Sequence, residues 1–327
     1  MRFPSILLLS IVLALAANDL RSAPSAVFDA EWTTVEGRSF RIEDFRGQRP
    51  VYLKFWASWC GTCREEMPHL ESIYNQHGKD VAVIAINLGI NDDREAVLET
   101  REEFALSVPV VIDRDGRLAQ AFDLVATPYH VLLDRDLRVV HAEYSASDDL
   151  DDKIRRLAAD RETALDTAAT TPDRHCDGPR RPELDASAER SGQKTVLFFV
   201  ATWCDWYLED TRPAMSRNCI EAQRTVNQLY REWPGPRWVG VASRMWTGNE
   251  ELASYRERFD IDHPLAIDAT NETVLRHEIR RFPTLLVLRN GKELLRIEDF
   301  GDPDEVSRRF RRVVSGSAVR RDFGGVH

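Results

Sequence analysis

A short segment of this 327-residue chain occurs twice, and that repeat limits the folds available to it. FWASWCGTCREE, which begins at Phe55, aligns without a gap to FVATWCDWYLED, which begins at Phe199. Similarity between segments separated by the length of a whole domain indicates a duplicated structural unit. The chain is also long enough for two domains of ordinary size. The sequence therefore predicts two copies of one fold in tandem.

Apolar runs predict the same order of strands and helices in both copies. Runs that are apolar on both faces are typical of central strands covered by helices, so we expect an α/β fold in which each copy has a central mixed β-sheet flanked by helices. The predicted strands are Val51–Trp56, Val81–Leu88, Val110–Ile112, Val131–Leu133, Val139–Tyr144, Thr195–Val200, Trp238–Ala242, Leu285–Leu288 and Leu294–Ile297. A single long helix is predicted from the second segment to about Tyr230, another helix near Asn249–Phe259, and a final helix capped by Asp302.

The first residues have the layout of a cleavable secretory signal. Arg2 precedes an apolar run that ends in the small-residue pattern Ala14-Leu15-Ala16. We therefore expect a signal peptide at 1–17 and a periplasmic protein, with an uncleaved N-terminal anchor as the alternative. The predicted divisions that follow are a CxxC-containing domain at 27–160, a linker at 161–182, a second domain at 183–316 and a tail at 317–327.

The charge of the chain argues against nucleic acid as a partner. The formal net charge is -10, whereas binding to phosphates requires a basic surface. The one basic run, at 308–312, alternates with apolar residues at helical spacing, so we interpret it as the solvated face of a terminal helix. The five cysteines are an odd number, so at least one is outside any intramolecular disulfide.

The pair Cys60 and Cys63 is the clearest candidate for chemistry. It follows a predicted strand and opens a predicted helix, where unsatisfied N–H groups favour a thiolate. A cysteine one turn further along can then attack a mixed disulfide and release the substrate. Half of a zinc site is the competing interpretation, but His69 and His77 do not have the usual ligand spacing. We expect no metal and no cofactor beyond the disulfide pair itself.

The surrounding sequence resembles a known family. WCGTCREEMP is similar to the core motif of the TlpA/ResA periplasmic thiol-disulfide oxidoreductases, which have a thioredoxin fold, and the resemblance covers about residues 27–158. It implies that Cys60 is the nucleophile, that Cys63 is the resolving thiol, and that Thr127-Pro128 is a cis-proline element on which substrate strands dock beside Trp59. It also implies disulfide-containing client proteins and an upstream membrane electron donor.

Two neighbouring residues have open interpretations. Glu66 matches the family's helix glutamate, which implies a proton-handling role, and the alternative is an ordinary surface carboxylate. Lys54 stands where thioredoxins have a buried aspartate; it would either lower the pKa of a thiol or extend its amine to the solvent. The segment around Pro128 lacks the element typical of cytochrome maturation proteins, so we expect a general protein disulfide as the substrate.

The second copy keeps only part of this site. Cys204 aligns with Cys60, but Tyr207 replaces the resolving cysteine, and Pro283 follows the pattern of a second cis-proline. A redox-inactive domain that binds a substrate or partner, a monothiol site and a structural or dimerising role are all open. If the helix is continuous, Cys219 is about 22 Å from Cys204, so these two cysteines are not expected to pair, and a bridge from Cys176 to either of them is left open.

The function predicted from these observations is a thiol-disulfide oxidoreductase, of the protein-disulfide reductase type, acting outside the cytoplasm. The alternative is a non-catalytic, two-domain client-binding protein in which the bridge between Cys60 and Cys63 is structural.

Overall fold

The computed structural model describes residues 25–159 and 193–316, here called the N-terminal half and the C-terminal half. The predicted signal peptide, linker and tail and Cys176 lie outside the described residues. No helix within the two described ranges has the length and apolarity needed to cross a membrane.

The N-terminal half is built on a five-stranded mixed sheet with the strand order β5-β4-β3-β6-β7. Strands β4 and β5 are parallel to β3, whereas β6 and β7 continue the sheet in antiparallel pairs. All six residues of β3 and of β4 are buried, which explains their apolar composition. The elements are α1 Ser25–Asp29, β1 Trp32–Thr33, β2 Ser39–Phe40, a 3-10 helix Ile42–Phe45, β3 Val51–Trp56, α2 Gly61–Glu65, α3 Met67–His77, β4 Ala82–Asn87, α4 Arg94–Glu103, β5 Val110–Ile112, α5 Arg117–Ala121, β6 Tyr129–Leu133, β7 Val139–Glu143 and α6 Asp148–Ala159.

The C-terminal half has a second five-stranded sheet, with the order β10-β9-β8-β11-β12. Its strand directions repeat those of the first sheet, because β9 and β10 are parallel to β8 and β11 and β12 are antiparallel. The elements are β8 Lys194–Val200, α7 Cys204–Tyr207, α8 Pro213–Glu232, β9 Arg237–Ala242, α9 Asn249–Phe259, β10 Leu265–Ile267, α10 Glu272–Arg276, β11 Thr284–Arg289, β12 Lys292–Ile297 and α11 Pro303–Val314.

One predicted helix is wrong, and the error affects the cysteines. The sequence predicts a single helix through about Tyr230, but the chain turns between Tyr207 and Pro213, and α8 begins at that proline. A proline is favoured at the start of a helix, where its missing N–H has no helical partner to lose. The turn brings Cys219 back to Cys204, and their Cα atoms are 6.1 Å apart in a disulfide. The expected separation of about 22 Å for a continuous helix is therefore wrong, and the two cysteines pair with each other, which leaves neither for a bridge to Cys176.

The two halves pack directly on each other. The larger hydrophobic cluster runs through the N-terminal half and continues into the C-terminal half, whereas a second cluster lies wholly within the C-terminal half. Trp59 and Trp203 join the halves by stacking, with ring centroids 4.6 Å apart. The ends of the sheets that carry the repeated motif consequently lie at this contact.

Candidate active site

The cysteine pair lies where β3 passes into α2. Cys60 is the N-cap residue of α2, and the backbone N–H of Cys63 donates to its Sγ at 3.2 Å. The two cysteines form a disulfide with Cα atoms 5.2 Å apart. The same N–H would stabilise a thiolate on Cys60 after reduction, since hydrogen bonds to a charged form favour it.

The predicted cis-proline element precedes the strand that is paired with β3. The Thr127–Pro128 peptide bond is cis and leads directly into β6, which is paired with β3. The Thr127 side chain is buried, and its hydroxyl has no hydrogen-bond partner in the described structure. Trp59 is also buried, and its indole N–H donates to the carbonyl oxygen of Ile90 at 2.7 Å.

A buried polar network joins β3, β6 and the residue between α2 and α3. The Nζ of Lys54 donates to Oε2 of Glu66 at 2.7 Å, and the same oxygen is 3.1 Å from Nε2 of His130. The other ring nitrogen of His130 is 2.7 Å from the hydroxyl of Tyr52. The backbone N–H of Ala146 donates to Oε1 of Glu66 at 2.8 Å. Both Lys54 and His130 are 0% exposed, so Lys54 does not extend to the solvent.

The network shifts the pKa values of Glu66, Lys54 and His130. Burial alone would raise the pKa of Glu66, but the hydrogen bonds and charges of His130, Lys54 and Ala146 outweigh it and lower the pKa to about 2. Burial lowers the pKa of Lys54 and of His130. Glu66 is therefore ionised at neutral pH in the oxidised protein, and its proton-handling role stays a prediction.

The C-terminal half repeats the framework with different chemistry. Cys204 opens α7 and is bonded to Cys219 of α8, so it is not a free monothiol in this structure. The Phe282–Pro283 bond is cis, as the sequence predicts. The indole N–H of Trp203 donates to the carbonyl oxygen of Met245 at 3.0 Å, which matches the bond from Trp59 to Ile90.

The two sites face each other across the contact between the halves. The hydroxyl of Tyr207 accepts from the backbone N–H of Gly61 at 3.0 Å, next to Cys60. The guanidinium of Arg212 donates to Oγ of Ser58 at 3.0 Å. Cys60 and Cys63 are both 0% exposed. The tyrosine that replaces the resolving cysteine in one half thus lies over the cysteine pair of the other.

The sequence did not indicate this facing arrangement or its polar contacts. Asn91 and Trp246 are central to it, and both have positive φ. Asn is among the few residues that tolerate this conformation, but its identity alone does not reveal a partner on the other half. Within the described residues, no group of three or more His, Cys, Asp or Glu side chains is placed to hold a metal ion.

Comparisons with known proteins find a family model and relatives for part of this chain. The family model named Redoxin matches residues 20–157. The thiol-disulfide oxidoreductase ResA of Bacillus thuringiensis subsp. konkukian is 32% identical over 108 residues, which are 33% of this chain and 61% of that protein. The sporulation thiol-disulfide oxidoreductase A of Bacillus subtilis is 32% identical over 122 residues, covering 37% of this chain and 72% of that protein.

Among solved structures, StoA from Bacillus subtilis is similar with a TM-score of 0.35 and 24% identity, covering 38% of this chain and 95% of StoA. The chain spans about three fifths of the length of the ResA proteins it matches. All these similarities involve a minority of the chain's residues. Through the segment that carries Cys60 and Cys63, the chain belongs to the ResA/TlpA-like thiol-disulfide oxidoreductases of the thioredoxin superfamily.

Proposed function

We propose that the protein is a thiol-disulfide oxidoreductase that reduces disulfides of client proteins through Cys60 and Cys63. The observation that carries the proposal is the disulfide at the start of α2, which follows β3, the strand that pairs with β6 and its preceding Pro128. This combination gives a nucleophile, a resolving thiol and a backbone edge for a client strand in one place. Membership in a family of thiol-disulfide oxidoreductases supports it.

The reaction transfers two electrons from the dithiol to the client. The thiolate of Cys60 attacks one sulfur of the client disulfide, so a mixed disulfide forms and one client thiolate leaves. The thiol of Cys63 then loses its proton and attacks Sγ of Cys60. This step forms the bridge between Cys60 and Cys63 and releases the second client thiolate. An upstream membrane protein with a dithiol resets the bridge and is itself oxidised.

The surrounding residues have supporting roles in this proposal. Trp59, Thr127 and Pro128 contact the client, and Glu66 accepts or relays the proton of Cys63. Glu66 is the N-cap residue of α3 and is held by Lys54 and His130, so its carboxylate is fixed relative to α2. The N-terminal sequence and the relatives' family favour a periplasmic location.

The C-terminal half is, in this proposal, a second thioredoxin-like domain with a degenerate site. Its sheet has the same strand order and directions as the first, and it keeps a cis-proline at Pro283. Because Tyr207 is not a thiol, the half cannot cycle through a Cys-x-x-Cys disulfide. We therefore assign the redox step to the N-terminal half and a binding role to the face with Cys204, Tyr207 and Pro283.

An insulin reduction assay tests the proposal. With dithiothreitol as the reductant, the wild-type protein should accelerate reduction, Cys60→Ser should abolish the acceleration, and Cys63→Ser should accumulate a mixed disulfide with the client. Activity that survives in Cys60→Ser would refute the assignment of the nucleophile. A reduction potential below about −300 mV, together with no exchange against glutathione, would favour the alternative of a client-binding protein with a structural bridge.

A further inference from the structure

We propose that the C-terminal half is a built-in occupant of the client-binding face of the N-terminal half, and that the Cys60–Cys63 pair is reached only when the two halves separate. That the displaced occupant is a client protein rests on the proposed function. The closure itself rests only on the contacts between the two halves.

The groups that a client would need to reach are all buried. Cys60 and Cys63 are 0% exposed, and Trp59, Thr127 and Pro128 are buried as well. A thiolate must approach a disulfide along a free path before exchange can occur. The residues that close this path belong in part to the C-terminal half, since Trp203 and Trp246 pack on the ring of Trp59.

The halves bind each other at their cis-proline edges, which are the segments directly before Pro128 and Pro283. The backbone N–H of Asn91 donates to the carbonyl oxygen of Arg280 at 2.8 Å, three residues before Pro283. In the opposite direction, the backbone N–H of Trp246 donates to the carbonyl oxygen of Val125 at 2.8 Å, three residues before Pro128. Each edge is therefore engaged by a segment of the other half.

The side chain of Asn91, in the N-terminal half, bonds to the cis-proline edge of the C-terminal half as a peptide unit would. Oδ1 of Asn91 accepts from the backbone N–H of Phe282 at 2.7 Å, and Nδ2 of Asn91 is 3.2 Å from the carbonyl oxygen of Phe282. A carboxamide has one acceptor and donors, as a peptide unit does. In the N-terminal half the equivalent edge residue is Thr127, whose buried hydroxyl has no partner. The contact between the halves therefore supplies no hydrogen bond to the Thr127 hydroxyl.

One contact between the halves can be removed by substitution without changing the redox site. Arg244 of the C-terminal half pairs with Asp123 of the N-terminal half, with 2.8 Å between Nη2 and Oδ1. Neither residue belongs to the cysteine or cis-proline elements. Arg231 provides a matched control, because it pairs with Asp260 and Asp262 inside the C-terminal half.

The test measures how fast the Cys60 thiol is alkylated in the reduced, full-length protein. The protein is reduced with dithiothreitol, desalted without oxygen and pulsed with iodoacetamide, and peptide mass spectrometry reports each cysteine. In the wild type, Cys60 should react far more slowly than in the urea-unfolded chain. Arg244→Glu and Asn91→Gly should each raise its rate by about tenfold, because lost closing contacts shift the population toward the open form. Glycine at position 91 keeps the positive φ of Asn91 without strain.

The controls separate opening from unfolding. Arg244→Lys retains the charge and should keep the slow rate, and Arg231→Glu should do the same. Cys219, which is buried in the C-terminal half, should remain slow in every folded variant. The proposal is overturned if wild-type Cys60 reacts as fast as in the unfolded chain, or if neither Arg244→Glu nor Asn91→Gly accelerates it.

The same samples are tested for insulin reduction, so that the two proposals fail separately. Faster alkylation without insulin reduction in any variant would support the closure and refute the proposed function. Insulin reduction with no change in alkylation would support the function and refute the closure.

Discussion

Asn91 and Trp246 make the same contact in opposite directions. Each has a positive φ, 52° and 50° respectively, and each donates its backbone N–H at 2.8 Å to a carbonyl three residues before the other half's cis-proline. The two residues follow equivalent strands, β4 and β9, in the two sheets. At their contact the two halves are therefore related by an approximate two-fold symmetry.

This symmetric contact gives a reason why the C-terminal half keeps the framework of a site that has lost its resolving cysteine. Tyr207 has lost the chemistry of a resolving cysteine, but its hydroxyl accepts from the N–H of Gly61. Trp203 has kept both the bond to Met245 and the stack on Trp59. Both Trp203 and Tyr207 therefore contact the N-terminal half, as expected if the second copy serves as a binding surface.

The stacked tryptophans should contribute strongly to stability. Trp203 is 2% exposed and lies 4.6 Å from Trp59 between ring centroids. Its replacement by alanine leaves a cavity and removes the stack, so Trp203→Ala should lower the free energy of unfolding by about 3–5 kcal/mol. Urea unfolding followed by circular dichroism measures the change.

Trp206 supplies the matched control for that substitution. It is 58% exposed although it lies only three positions from Trp203 in sequence, so Trp206→Ala should change the free energy of unfolding by less than about 0.5 kcal/mol. Equal losses in the two alanine variants would contradict the assigned packing.

Much of each sheet follows from local sequence, because buried strands carry unbroken apolar runs. Val51–Trp56 and Val110–Ile112 are predicted with the bounds that the structure has, and so is the helix Asn249–Phe259. The strand Leu265–Ile267 is not predicted because only one of its three residues is β-branched, whereas all three residues of Val110–Ile112 are. The helix Glu272–Arg276 is not predicted because five residues are too few to show a helical period.

The site is predictable only in part. The cysteine pair and both cis-prolines are recognisable from motifs in the sequence. The bond between Cys204 and Cys219 is not, because it depends on the direction in which the chain turns before Pro213. The network of Lys54, Glu66 and His130 joins three separate elements, and such contacts leave no periodic pattern along the chain.

Removing the buried amine of Lys54 should destabilise the protein. Its side chain is 0% exposed and bonds to Glu66 at 2.7 Å, so Lys54→Met leaves that carboxylate without its cation. Loss of one partner of a buried pair costs about 3 kcal/mol or more. Chemical denaturation should show this loss, and the double variant Lys54→Met with Glu66→Gln should recover part of it. A Lys54→Met protein as stable as the wild type would contradict the structural role of the pair.

The depressed pKa of Glu66 predicts a dependence of stability on acid. Its folded-state pKa is about 2, below the ordinary 4.5, so the unfolded chain binds the proton more readily. The contribution of this group is therefore fully present above pH 4.5 and is lost as the pH falls toward about 2. The stability of Glu66→Gln should fall less steeply than that of the wild type over this window. Urea unfolding at several pH values tests this, and parallel curves for the two proteins would refute it.

The bridge between Cys204 and Cys219 should stabilise the C-terminal half without being needed for exchange. It closes a loop with a sequence separation of 15, for which the loss of chain entropy in the unfolded state corresponds to about 3 kcal/mol. Each single variant, Cys204→Ser or Cys219→Ser, breaks the whole bridge. The double variant should therefore lose much less than the sum of the two single losses. Unfolding under oxidising conditions measures these differences, and insulin reduction by the folded double variant should persist because Cys60 and Cys63 are intact. If the double variant folds but no longer reduces insulin, the C-terminal bridge takes part in the electron transfer.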